Sequence, residues 1–173
     1  MKRSSIYARI IVITTLVVAV CGFVICCFFN RSVTTVILVR HADKTGQNLN
    51  ELGRERADEL VHVLNETNIS AIYTSDVGRT IATAAPIALQ LGIAPTEIRD
   101  SEELVDDLRV NHIGKTILVV HHSNTVPDII RELGVIQTVP DIPENDYDNM
   151  YIVTLRRNSL TQILKLEYGA DTE

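Results

Sequence analysis

The sequence predicts an α/β fold, a three-layer α/β/α sandwich with a mostly parallel central sheet, preceded by one transmembrane helix. Three strand-like runs point to the sheet: the apolar Val36–Val39 and Ile117–Val120, and Ile69–Ser75 between them. Unbroken branched residues without polar alternation read as strands covered on both faces, as parallel sheets require. Apolar residues at helical spacing separate and follow these runs, and right-handed crossovers then put helices on both faces of one sheet. The transmembrane helix is expected over Ile10–Phe29, twenty residues with no charge and no proline. That is the length that about 30 Å of hydrocarbon demands at about 1.5 Å rise per residue.

The remaining elements follow in order. Asn50 caps a helix in which Ala57, Leu60, Val61 and Leu64 share a face, and Asn65 ends it. Ile81, Ala84, Ala85 and Ala88 repeat the spacing before Gly92 stops it. Leu104, Val105 and Leu108 form a shorter third helix, ended near Gly114. Val126, Ile129, Ile130 and Leu133 define a fourth, with Pro127 in the first turn, where a missing N–H is harmless, and Gly134 at its end. Two closing strands, Met150–Leu155 and Leu160–Leu166, flank a turn at Arg157-Asn158-Ser159. The acidic, proline-bearing loop Pro140–Asp148 is expected to rim the functional site.

Each of the three buried strands ends in polar chemistry. The first runs into Arg40-His41-Ala42-Asp43-Lys44, the second into Asp76-Val77-Gly78-Arg79-Thr80, the third into His121-His122-Ser123-Asn124-Thr125. Carboxyl ends of parallel strands open on the crevice where α/β sheets bind ligands. An arginine's planar fork matches phosphate oxygens, and a neutral imidazole nitrogen can attack phosphorus. Arg40, His41, Arg79 and His122 together read as a phosphate site with a nucleophile in it. Lys44, Thr45 and Asn48 follow the first motif and are candidates for touching phosphate or substrate. Ser123 and Asn124 open the fourth helix, where they serve as caps and suit an anion. His121 is expected to pack beside the site, and His62 and His112 to be structural.

These segments resemble the histidine phosphatase superfamily, which includes the cofactor-dependent phosphoglycerate mutases and the small bacterial phosphohistidine phosphatases. The resemblance rests on Arg40-His41-Ala42, on Thr74–Ala84 and on Val119–Thr125, in order and at family-like spacing, and runs from about Val36 to Tyr168. Ala42 and His121 stand where the family more often has Gly. The resemblance implies that His41 is the nucleophile and forms a phosphohistidine that water releases. It implies Arg40 and Arg79 as phosphate clamps and His122 as phosphate ligand and transition-state stabiliser, with no cofactor. Relatives often place a glutamate after the second arginine to protonate the leaving group. Here the short segment 98–110 offers Glu102, Glu103, Asp106 and Asp107 without a clear match, so Glu103, Asp106 and, two residues past His41, Asp43 are the candidate donors.

Charge and cysteine usage bound the function further. All twenty-two acids but only twelve of the sixteen Lys and Arg lie after residue 32, leaving that part at −10, a surface that repels nucleic acid. Cys21, Cys26 and Cys27 all fall in the apolar segment, so the domain has no thiol, which fits an oxidising compartment. No Cys/His metal spacing or H-E-x-x-H helix exists, and no metal is expected. Lys2, Arg3 and Arg9 precede the apolar segment and Arg31 follows it, so the amino terminus stays cytoplasmic and residues 33–173 are exported. The alternative is export after signal cleavage, for which Ala19-Val20-Cys21 or Val20-Cys21-Gly22 would be the marginal sites. The expected organisation is an uncleaved anchor over residues 1–32 and one phosphatase domain over 33–173. It would act on a phosphorylated small molecule, a lipid phosphate or a sugar phosphate. The alternatives are a mutase-type phosphotransferase, which needs a long lid that the short connections lack, and a non-catalytic phospholigand-binding domain.

Overall fold

The computed structural model describes residues 13–22, 32–157 and 159–172. The chain divides after Ser32 into two units, taken separately here. In the first, residues 13–22 are helical and exposed. The rest of the predicted span, 10–12 and 23–29, lies outside the described residues, as do Lys2, Arg3, Arg9, Arg31, Cys26 and Cys27. Among the described residues no helix is long and apolar enough to cross a membrane, so the expected transmembrane helix has no structural support.

The second unit is the expected sandwich. Its strands are β1 (Val33–Arg40), β2 (Lys44–Thr45), β3 (Asn48–Leu49), β4 (Ile69–Thr74), β5 (Thr96–Glu97), β6 (Thr116–His121), β7 (Asn149–Arg156) and β8 (Gln162–Glu167). Its helices are α1 (Glu51–Leu64), α2 (Gly78–Leu91), α3 (Ser101–Asn111) and α4 (Thr125–Glu132). The main sheet runs β5-β4-β6-β1-β7-β8, parallel from β5 to β1 and antiparallel beyond. Strand alternation explains the layers. Val36, Leu38, Ile117 and Val119 face α3 and α4 through Leu104, Leu108, Ile129 and Leu133. Ile37, Val39, Leu118 and Val120 face α1 and α2 through Leu60, Leu64, Ala84 and Ile87. Both faces are apolar because both are covered, and hence the unbroken runs.

Two small features were not expected. Lys44–Thr45 and Asn48–Leu49 pair as a hairpin around Gly46, whose φ of +63° suits glycine, where the sequence reads only as loop. Thr96–Glu97 adds a two-residue edge strand beside Tyr73–Thr74. Neither is long enough to show a period. Ser123 and Asn124 depart from the expected caps: Asn124 occupies the N-cap of α4 but its side chain bonds no helix N–H. Thr125 Oγ1 instead accepts from His122 N at 3.1 Å, and the Ser123 carbonyl accepts from Ile142 N at 3.0 Å. In the turn after β7, Asn158 lies outside the described residues.

Asn50 caps α1 as expected, its side chain accepting from Gly53 N at 2.8 Å. The helix meets the end of the first motif at Gly53, where an added Cβ would stand 2.0 Å from the Asp43 carbonyl oxygen. Alanine is the better helix former by about 1 kcal/mol. Gly53→Ala is nevertheless expected to destabilise the domain by about 2 kcal/mol, the cost of forcing backbone apart. Urea unfolding of the variant checks this, and a stabilised variant would show that α1 can shift freely.

Candidate active site

Register brings the three motifs together. In the parallel pairing of β1 with β6, Arg40 stands opposite His121, so His41 and His122 leave adjacent strands side by side, with His41 N donating to the His121 carbonyl at 2.8 Å. On the other side of β6, Thr74 pairs with Val120, which brings Ser75 to the same mouth. The His41 and His122 rings meet edge to face at 5.5 Å.

His41 is 2% exposed and its Nδ1 lies 2.9 Å from the Ala42 carbonyl. A carbonyl only accepts, so the proton sits on Nδ1 and Nε2 keeps its lone pair, the form a nucleophile needs. Burial, opposed by that bond and aided by Arg40, Arg79 and His122, lowers the His41 pKa to about 3. The loop is fixed from α2, where Thr83 Oγ1 accepts from Ala42 N at 2.9 Å and donates to the Arg79 carbonyl at 2.8 Å.

His122 is engaged at both nitrogens. Arg79 Nη2, which can only donate, lies 3.3 Å from Nδ1, and Nε2 lies 2.9 Å from Ser75 Oγ. Ser75 Oγ is in turn 2.9 Å from Thr80 Oγ1, which donates to the Val77 carbonyl at 2.7 Å. Burial, then His121, Arg79, Arg99 and Arg40, lower the His122 pKa to about 4. Arg40 and Arg79 each hold a buried Nε with no protein partner, donor capacity that an anion can take up. Arg40 also does something the sequence did not suggest. Its Nη1 donates to the carbonyls of Pro143 (2.7 Å), Glu144 (3.0 Å) and Asp146 (2.9 Å), and its guanidinium lies 4.1 Å from the Tyr147 ring centre. The Pro140–Asp148 loop thus reaches the site as expected, with Tyr147 6.0 Å from the His41 ring.

The other candidates fare differently. Lys44 Nζ pairs with Glu144 at 3.3 Å, joining the hairpin to the loop. Asn48 lines a separate cavity of about 620 Å³ between α1 and α2, while its neighbour Gln47 accepts from Arg79 Nη1 at 3.1 Å. Asp43 is buried and its carboxylate accepts from Arg56 Nε at 2.7 Å, so it is a partner of Arg56 and not a free acid. Glu103 and Asp106 lie on the exposed face of α3, where Asp106 pairs with Arg109 at 4.0 Å; none of their described contacts joins them to the site. Exposure on a helix face is what makes those acids look available in the sequence. His121 packs edge to face on His122 at 5.4 Å. His62 is exposed on α1, and His112 bonds the Tyr73 hydroxyl at 2.8 Å. Ser75, Thr80 and Thr83 lay within the second motif, but nothing in their spacing announced whom they would touch. Tyr147 carried no signal beyond its loop. Among the described residues no group of three His, Cys, Asp or Glu could hold a metal.

With both pKa values depressed, the His41 and His122 rings are expected to stay neutral from pH 8 down to pH 5, read as unchanged histidine ring shifts in an NMR titration. The unfolded chain takes up protons at these histidines below its ordinary value of about 6.5 and the folded chain does not, so acid from about pH 6.5 downward removes stability. A ring titrating near 6.5 would mean that the site is open to water.

The histidine phosphatase superfamily (branch 1) model matches residues 36–104. No curated protein matches the chain in sequence. Among solved structures, mycobacterial glucosyl-3-phosphoglycerate phosphatase in complex with VO3 is similar with a TM-score of 0.62 at 14% identity, over 78% of this chain and 99% of that one. Mycobacterial hydrolase 1 gives 0.61 at 14%, over 81% and 100%. Phosphoglycerate mutase from Plasmodium falciparum gives 0.56 at 18%, over 83% and 94%. Identities this low show the fold alone. The family match supports phosphatase- or mutase-type function at the level of the family. By the motifs of residues 36–104 the chain resembles the histidine phosphatase superfamily, and it shares the fold of these solved structures.

Proposed function

We propose that this protein is a phosphatase that hydrolyses phosphomonoesters through a phosphohistidine on His41, held at a membrane by residues 10–29 with its domain on the non-cytoplasmic side. The observation that carries the reading is the His41 ring. Its proton is fixed on Nδ1 by Ala42, and its Nε2 lone pair is left available in a site that Arg40 and Arg79 make cationic. A phosphomonoester needs its charge held while the nucleophile lines up behind phosphorus, so positioning and charge stabilisation are most of the catalysis. Arg79 and the free Nε of Arg40 supply the charge, His122 stands beside them as a neutral phosphate ligand, and His41 Nε2 supplies the electron pair. The Nε2–P bond forms as the ester P–O bond breaks and the leaving oxygen takes a proton from solvent; water then attacks phosphorus, the Nε2–P bond breaks, and phosphate leaves with the water's oxygen as the ring regains its lone pair. Hydrolysis is preferred over mutase chemistry because the longest connection in the domain, between α4 and β7, is tied down by Arg40 and is not a lid. The −10 domain repels nucleic acid, so the substrate is a phosphorylated small molecule, lipid phosphate or sugar phosphate.

Brief mixing with a labelled phosphoester should place acid-labile, base-stable label on His41, and His41→Ala should remove label and turnover together. Phosphate binding without label or turnover would select the non-catalytic phospholigand-binding reading.

The anchor has its own test. A reporter active only in the exported compartment, fused after Glu173, should work, and the chain should stay with membranes through a salt wash that screens surface adsorption. A soluble mature protein beginning near Gly22 would replace the anchor with a cleaved signal. A reporter active only in the cytoplasm would overturn the orientation and favour a phosphoprotein substrate.

A further inference from the structure

His122 as placed cannot serve a phosphate. Its Nδ1, the nitrogen turned toward Arg79, accepts a hydrogen bond, whereas a phosphate oxygen needs a donor. Its N–H is on Nε2 and is spent on Ser75, a residue with no solvent exposure. Gaining a second proton is disfavoured first by burial, then by His121, 5.4 Å away, and by the cations Arg79, Arg99 and Arg40. The remaining route is a change of tautomer, and this requires a partner at Nε2 that can donate as well as accept.

Ser75 is such a partner. Its hydroxyl proton can point to Thr80 Oγ1 while the oxygen accepts from Nε2, or turn to Nε2 itself. Thr80 tolerates either state because its own proton is committed to the Val77 carbonyl. A backbone amide or carbonyl in place of Ser75 would lock one tautomer.

We propose that Ser75 is the positioning residue that lets His122 turn from an acceptor facing Arg79 into a donor facing a bound phosphate, without any net gain of a proton. The ring gives up the proton on Nε2 and takes one on Nδ1 by exchange with solvent. The Ser75 proton stays on its oxygen and rotates from Thr80 to Nε2. This rests on the phosphatase reading only in that the site takes phosphate.

The test uses the full chain labelled with 15N-histidine and inorganic phosphate as the probe. Without phosphate, long-range couplings should report the His122 proton on Nε2; with saturating phosphate they should report it on Nδ1. In Ser75→Ala the donor to Nε2 is gone, so His122 can serve phosphate only with Nε2 buried and unpaired or as imidazolium, each at a cost. Phosphate affinity should fall at least tenfold at pH 7 and recover toward pH 5, while the wild type shows no such recovery. If Ser75→Ala does not fold, the wild-type tautomer measurement decides alone. A proton that remains on Nε2 when phosphate is bound, a His122 imidazolium in the wild-type complex, or wild-type affinity and pH dependence in Ser75→Ala would each overturn the proposal while leaving the phosphatase standing. A wild-type chain that neither binds phosphate nor labels His41 would overturn both.

Discussion

The pairing of β1 with β6 is the constraint on which the site depends. Six consecutive residue pairs, from Thr35 opposite Thr116 to Arg40 opposite His121, fix where both strands end. A slip of one residue would exchange the faces of β1, sending Val36 and Leu38 to the α1–α2 side and Ile37 and Val39 to the other. It would also carry His41 along the strand away from His122. Core packing and site geometry are therefore one specification. The apolar pattern that fills both layers is what sets the distance between the two rings.

Around that register several side chains hold loops still. Arg40, Arg56, Thr83 and Asn50 each tie a segment that follows a strand to something rigid. The buried pair of Arg56 with Asp43 shows the cost of this design. Removing one partner of such a pair typically costs about 3–5 kcal/mol, because the other is left charged and alone. Asp43 thus holds the first motif in place through Arg56.

The layers and the long elements were legible because their causes are local. Runs of branched residues, helical spacing, the Asn50 cap and the glycines at helix ends each state their role within a few positions. Arg40, His41, Arg79 and His122 were legible for another reason: strand ends gather at one mouth, so motifs after three strands had to meet. What could not be read was pairing across distance. Nothing near Asp43 indicates Arg56, nothing near Arg40 indicates the carbonyls of residues 143–146, and Ser75 reads as an ordinary hydroxyl until Val120 sets it beside His122. The expected caps at Ser123 and Asn124 failed similarly, since Thr125, one residue later, took up the backbone N–H of His122. Exposed acids on α3 misled because charge on a helix surface looks the same in a sequence whether or not it faces a site.

Arg56 also determines when the site can form. Its Nη1 and Nη2 donate to the carbonyls of Tyr168 and Ala170 at 2.8 Å each, 112 and 114 positions further along the chain. Thr172 binds Asp148 and the amide of Tyr147, so the tail braces the loop that faces His41. The first motif is therefore braced through Arg56 by carbonyls more than a hundred positions away. Contacts of such long range form late in folding. The mouth that holds His41 is thus complete only once residues 168–172 have docked, so loosening that segment would loosen the first motif although no residue of it touches His41 directly in the described contacts.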